Sequence, residues 1–321
     1  MSAPARLAAR TFAVYQICLH MQTILGAGGA IGRLLATELY AYTDIVRLVS
    51  RRPERVQPSD ALFPADLLDA DATRRAVEGS AVVYLTAGLP YHTKTWERDW
   101  PLLIDNVLDA CASTGAKLVF FDNVYSYAPD QLDGMMETAR VAPATRKGRV
   151  RAAVATRVLE AHRSGRVSAL IARSADFYGK GIANSVLNDL IITKLQTGKR
   201  PQWLCDADQP HNFTLVSDAA RATAQLGNDP EAYGQVWHLP TVSEAPTARE
   251  WIAHFGGNQA PQLLRPWLVR LLGLGIPALG ALHEMLYQYD RPYRFDSSAF
   301  TARYGWSATP IAAAVADIMY T

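Results

Sequence analysis

The stretch TILGAGGAIG, residues 23–32, constrains the fold of this chain more than any other. Gly26, Gly29 and Gly32 form a G-x-x-G-x-x-G, with Gly28 as an additional glycine inside it. A short apolar segment precedes the turn, and residues 33–40 (RLLATELY) follow with apolar side chains at helical spacing. Strand, glycine turn and helix in that order are the context of a dinucleotide site. Each glycine has its own reason. The first permits the tight turn, Gly28 and Gly29 let backbone N–H groups approach a pyrophosphate, and Gly32 lets helix and strand pack closely. The helix N-terminus then presents unpaired donors and partial positive charge to phosphate, and Ala30 and Ile31 are counted with the cofactor-binding residues.

The second strand, residues 44–50 (DIVRLVS), ends where an acidic residue would hold a ribose 2′-hydroxyl. No carboxylate stands there. Ser50, Arg51 and Arg52 do, with Arg55 close behind. Planar guanidinium forks suit a 2′-phosphate, so NADP is expected, with NAD still possible. The plainer alternative is a solvated basic loop.

With 321 residues and 49% hydrophobic content the chain can bury a large core, in one elaborated domain or two lobes. A net charge of +2 gives no bulk argument for nucleic acid or membrane binding. Three cysteines, Cys18, Cys111 and Cys205, form neither a disulfide framework nor a metal motif and fit a reducing cytoplasm. No metal site is expected. The nearest approach to a spanning segment, residues 263–286, is broken by Arg265, Arg270, Pro277, His283 and Glu284, and reads as a buried helical pair. Residues 1–20 carry Arg6 and Arg10 and no acid; their apolar part is short and no clear cleavage site follows. An extension or mis-assigned start is expected there rather than a targeting peptide.

Strand-like runs at 23–25, 45–49, 62–64, 81–85, 117–121 and 167–171 alternate with helical patterns, including 100–113 and 145–162. AVVYL and KLVFF are continuously apolar, as parallel strands buried on both faces should be. The expected fold is therefore α/β: a Rossmann-type doubly wound parallel sheet with a smaller, mostly helical C-terminal substrate lobe. The expected division is an extension at 1–20, an NADP-binding Rossmann domain at 21–180, and a lobe at 181–321 from which one strand, 236–239, returns to the sheet.

Across about residues 21–320 the chain resembles an extended or atypical short-chain dehydrogenase/reductase, of the group labelled NAD-dependent epimerase/dehydratase. The resemblance rests on the glycine turn, Ala65-Asp66-Leu67, Leu85-Thr86-Ala87-Gly88, Asn106, Val124-Tyr125-Ser126-Tyr127, Arg173 to Gly179, and His211 to Asp218. It implies that Asp66 meets the adenine, with Leu67 counted among the cofactor-binding residues, and that Ala87 and Gly88 lie along ribose and pyrophosphate. Asn106, Asp122 and Asn123 are counted with the cofactor-binding residues. The family's serine after the fifth strand falls on Asn123, or on Phe121 in another register. Its Tyr-x-x-x-Lys falls on Lys147 and Arg151, so both hallmark residues are replaced.

Lys147, Arg151, Val154 and Val158 share a helical stripe facing the sheet. Two cations on such a stripe need a partner, either a cofactor group or a carboxylate such as Asp122 or Asp176. Otherwise RKGRVR is a basic, solvated helix start. Arg151 can donate to a ribose but cannot transfer a proton at neutral pH. Lys147 can, if burial lowers its pKa. The catalytic candidates are Lys147, Arg151, Asn123, Tyr125 and Tyr178; Tyr91 and His92 lie in the same region, though for each aromatic packing at a cleft wall is the simpler reading. Asn123 and Asp176 suit substrate hydrogen bonds, whereas His211 and Asn212 read as a turn.

Trp203, Trp237, Trp267, Met285 and Tyr287 suggest an apolar substrate wall, or simply the core of the lobe. The expected function is an NADP-dependent oxidoreductase, a ketone or aldehyde reductase or alcohol dehydrogenase, with a non-standard proton donor. The alternatives are a non-enzymatic NADP-binding regulator and a nucleotide-sugar epimerase or dehydratase. A small-molecule substrate, no nucleic acid, no membrane partner, room for a homodimer and a cytoplasmic location complete the expectation.

Overall fold

Strand β1 (Gln22–Leu25) pairs in parallel with β2 (Val46–Ser50) on one side and β4 (Val82–Leu85) on the other, Ile24 lying opposite both Leu48 and Tyr84. With β3 (Ala61–Pro64), β5 (Lys117–Asp122), β6 (Ala169–Arg173) and β7 (Val236–His238) the parallel sheet runs β7-β6-β5-β4-β1-β2-β3. The computed structural model describes residues 21–183, 185–273, 280 and 282–320. Residues 1–20, and Cys18 with them, lie outside that range.

Successive strand residues point to opposite faces, and helices cover both, so these strands are apolar throughout. On one face Leu25, Val83, Leu85 and Phe120 pack against helix α2 (Ala70–Val77), α3 (Thr93–Thr114) and α4 (Arg146–Arg163). On the other, Ile24, Leu48, Tyr84 and Val119 pack against α1 (Ala30–Leu39) and α5 (Val216–Gly227). Helix α3 starts seven residues before the expected 100–113 and carries Pro101 in its interior. Trp96 and Trp100, both buried, fasten that first stretch to the sheet, and tertiary packing outweighs the proline's local cost.

The strand expected at 236–239 does return to the sheet as β7, beside β6. Helix α5 returns as well, and Phe300 packs in the same core. A separate core joins Leu187, Ile191, Trp203, Phe213, Trp251 and Ile318 as the C-terminal lobe. Trp203 packs in the lobe core and Trp237 on the sheet, so two of the residues expected to wall a substrate belong to cores instead, whereas the buried Met285 accepts from Thr145 Oγ1 at 3.6 Å through its sulfur, at the start of α4. Tyr178 is buried in the lobe core against Trp251, the ring centroids 5.3 Å apart. Trp267 and Leu271, expected in a buried helical pair, are 64% and 57% exposed. Residues 274–279 and 281 of that stretch lie outside the described range. No described helix is long and apolar enough to cross a membrane, and no described group of His, Cys, Asp or Glu side chains is arranged to hold a metal ion.

Candidate functional site

The strand order reverses between β1 and β4, and the carboxyl ends of the strands there open a cleft of about 1080 Å³. Gly26 sits at φ +99°, and a Cβ there would lie 2.4 Å from the Ala87 backbone. At Gly32 a Cβ would stand 2.8 Å from both the Ala27 Cα and the Gly26 carbonyl. These two positions demand glycine for the turn and the packing. Gly28 and Gly29 do not: a Cβ at either meets no protein atom closer than 3.7 Å, and both line the cleft. Their room faces the cleft, where a phosphate could come against backbone. Helix α1 begins beside them at Ala30, Ile31 and Gly32 with no side-chain cap and no acid in its first turn. The residues therefore fit a dinucleotide pyrophosphate.

Ser50, Arg51 and Arg52 line the same cleft at the end of β2, both arginines exposed to solvent. Asp66, Leu67, Ala87 and Gly88 line its other walls. Asn106 does not point a group into the cleft with its amide nitrogen, which donates to the Leu67 carbonyl at 3.0 Å and holds that wall in place. Sequence reasoning missed Arg98 and Asp99, which line the cleft one turn before Leu103, because helical periodicity begins only at residue 100 and leaves them outside the helix.

Arg151 is 4% exposed, and its Nε donates to Asp122 Oδ1 at 2.8 Å while an Nη reaches the Phe121 carbonyl at 3.3 Å. Its guanidinium also lies over the Trp100 and Phe120 rings, 4.4 and 4.7 Å from their centroids. Arg173 donates to the other Asp122 oxygen at 2.8 Å. Burial works to raise the Asp122 carboxyl, but the two arginine charges outweigh it and hold the carboxyl below its ordinary value. The expected ribose contact of Arg151 and cofactor contact of Asp122 are corrected accordingly: both side chains are committed to each other inside the protein.

Lys147 goes elsewhere. Its fully buried ammonium lies 2.5 Å from Glu284 Oε1 and 4.4 Å from the centroid of the Tyr91 ring. Glu284 also accepts from Thr93 Oγ1 at 2.9 Å and from the Arg146 backbone N–H at 3.2 Å, tying the starts of α3 and α4 together. Desolvation lowers the Lys147 pKa, and the hydrogen bond and charge of Glu284 push back only in part. Burial alone would raise Glu284, yet Lys147 and Thr93 keep it below its ordinary value. In sequence Glu284 appeared only as a break in an apolar run.

Thr145 caps α4 by accepting the Gly148 N–H at 3.0 Å. A Cβ at Gly148 would meet the Tyr125 carbonyl at 2.5 Å, so this glycine sets the helix start against the loop after β5. In that loop Asn123 Oδ1 accepts the Tyr125 N–H at 3.2 Å, and the Tyr91 hydroxyl donates to that of Tyr125 at 3.2 Å. Burial pushes both phenols up, so each stays protonated at neutral pH. Asp176 Oδ2 accepts from Tyr289 at 2.7 Å and faces His211 Nε2 at 3.1 Å. His211 is more than a turn: its ring is stacked between Tyr289 and Tyr293. Asn212 clamps the carbonyls of Val242 and Glu244 and the N–H of Phe295.

Similarity to known proteins agrees with this geometry. No curated protein matches the sequence. Among solved structures, a UDP-N-acetylglucosamine 4-epimerase from Bacillus cereus superposes with a TM-score of 0.72 at 15% identity, covering 93% of this chain and 94% of its own. The Thermus thermophilus UDP-glucose 4-epimerase in complex with NAD gives 0.72 at 17% identity, covering 94% and 99%. The dTDP-glucose 4,6-dehydratase of Streptomyces venezuelae, with NAD and TYD bound, gives 0.70 at 16% identity, covering 92% and 95%. These likenesses concern the fold. Residues 23–238, from β1 through β7, match the model of one family, and the chain belongs to the NAD dependent epimerase/dehydratase family.

Proposed function

We propose that the chain is an enzyme of the epimerase/dehydratase kind that holds NADP in the cleft and acts on a hydroxyl-bearing carbon, with a sugar nucleotide as the first substrate class to test. The single observation that carries the proposal is the glycine turn, where Gly26 and Gly32 are filled by protein and Gly28 and Gly29 are left open toward the cleft. The bound dinucleotide would supply a hydride acceptor. Around it, Gly28, Gly29 and the start of α1 would hold the pyrophosphate, Arg51 and Arg52 the 2′-phosphate, and Asp66 the adenine side. Lys147 is the preferred proton donor and acceptor, because its pKa is lowered and Glu284 orients its ammonium. The simple ketone-reductase reading loses much of the apolar wall that motivated it, since Trp203 and Trp237 pack in cores.

The test is calorimetric titration with NADP and NAD in both redox states, followed by incubation of protein loaded with the oxidised cofactor with sugar nucleotides and, separately, of protein loaded with NADPH with aromatic ketones. Epimerisation or dehydration without net consumption of cofactor supports the proposal; stoichiometric NADPH oxidation by ketones favours the reductase. One observation favours a second reading, a cofactor-binding regulator without turnover. Both residues at the hallmark positions are tied into ion pairs, Lys147 to Glu284 and Arg151 to Asp122. Tight cofactor binding with no turnover of sugar nucleotides by the NADP-loaded protein, nor of ketones by the NADPH-loaded protein, would support that reading.

A further inference from the structure

We propose that the face formed by Leu263, Trp267 and Leu271 docks the protein on an anionic lipid bilayer. Leu263 lies in the short strand Gln262–Leu264, and Trp267 and Leu271 follow on the helix Pro266–Gly273. Their exposures are 37%, 64% and 57%, three large apolar side chains recurring every four residues and all open to solvent. Val269, on the inward side of the same helix, is 1% exposed and packs in the lobe core. Val269 thus anchors the helix while Trp267 and Leu271 face outward. Scattered surface leucines are ordinary, but an outward tryptophan and leucine one turn apart are the composition of an interfacial helix.

Charge names the occupant. From Trp251 to His283 not one Asp or Glu occurs, while Arg265 and Arg270 flank the apolar face and are themselves exposed. Arg200 adds a further exposed cation beside this strand, its Nε donating to the Ala260 carbonyl at 3.1 Å. Long basic side chains around a tryptophan–leucine face match anionic headgroups above an acyl layer. The whole-chain charge of +2 conceals this local excess. No described helix spans a membrane, so the mode is peripheral, with the helix lying in the headgroup plane.

The test uses the full chain and two vesicle types, phosphatidylcholine alone and phosphatidylcholine with phosphatidylglycerol. Flotation should carry the protein with the anionic vesicles only, with a blue shift of tryptophan emission that disappears in Trp267→Phe. Trp267→Ser with Leu271→Ser should lower partitioning about tenfold or more, and Arg265→Ala and Arg270→Ala about fivefold each. NADPH affinity, measured on every variant, should stay unchanged and reports folding independently of lipid. Failure of the wild type to float with anionic vesicles overturns the proposal, as does equal partitioning into both vesicle types. So does sedimentation as a dimer that Trp267→Ser dissociates, which would make a second copy the occupant.

Discussion

Lys147 and Glu284 are separated by 137 residues in sequence and by 2.5 Å between Nζ and Oε1 in the fold. The contact joins the first turn of α4 to the segment that follows the apolar helix of the lobe, and it orients the Lys147 ammonium. Glu284→Gln keeps an acceptor for Thr93 but removes the charge that opposes desolvation of Lys147. The Lys147 pKa should fall further, and the basic limb of the turnover profile should move to lower pH. Lys147→Ala should cost roughly 10²–10⁴-fold in rate, as loss of a general acid–base does. A pH profile identical in wild type and Glu284→Gln would remove Lys147 from the chemistry and shift attention to Tyr125.

Arg51 and Arg52 should set cofactor choice. Each charge-assisted hydrogen bond to phosphate contributes about 1.5–3 kcal/mol. Arg51→Ala combined with Arg52→Ala should therefore weaken NADPH binding more than about tenfold while leaving NADH binding nearly unchanged. Equal affinity of the wild type for NADH and NADPH, by calorimetric titration, would refute the preference.

The two kinds of glycine should separate in their effects. Gly29 has φ −81° and an open cleft beyond it, so Gly29→Val should fold as the wild type does and lose cofactor binding. Gly26→Ala places a methyl against the Ala87 backbone at positive φ and should lower stability by about 1–3 kcal/mol. Circular dichroism melts and NADPH titration on both variants check this; wild-type affinity in folded Gly29→Val contradicts it.

Asp122 balances two buried arginines. Asp122→Asn leaves Arg151 and Arg173 without a counter-charge and should cost about 3–5 kcal/mol in urea unfolding. Because the folded Asp122 pKa is depressed, its stabilisation is present above the ordinary carboxylate value of about 3.9 and is lost as pH falls through the lower folded value. The acid limb of wild-type stability should therefore flatten in Asp122→Asn. Arg151→Ala should lose stability but keep NADPH affinity within about threefold, since its guanidinium serves Asp122 and not the cleft. A larger affinity loss in a folded Arg151→Ala would restore the ribose contact.

The sheet and the glycine turn were legible from the chain alone. Both are local: strands buried on two faces must be continuously apolar, and a turn that leaves no room for Cβ at Gly26 and Gly32 must be glycine. The positions of Arg51 and Arg52 at the end of β2 follow from the same local reading. The partners of the buried charges, in contrast, were chosen by the fold. Spacing along α4 placed Lys147 and Arg151 on one stripe, yet the fold sends Arg151 to Asp122 and Lys147 to Glu284. Periodicity tells which side of a helix faces inward and says nothing of which distant carboxylate waits there. The start of α3 and the fate of Trp203, Trp237 and Tyr178 were likewise beyond sequence, because an aromatic that packs a core and one that lines a cleft have the same residue type. What separates them is what packs against each, and that is supplied by chain segments far away.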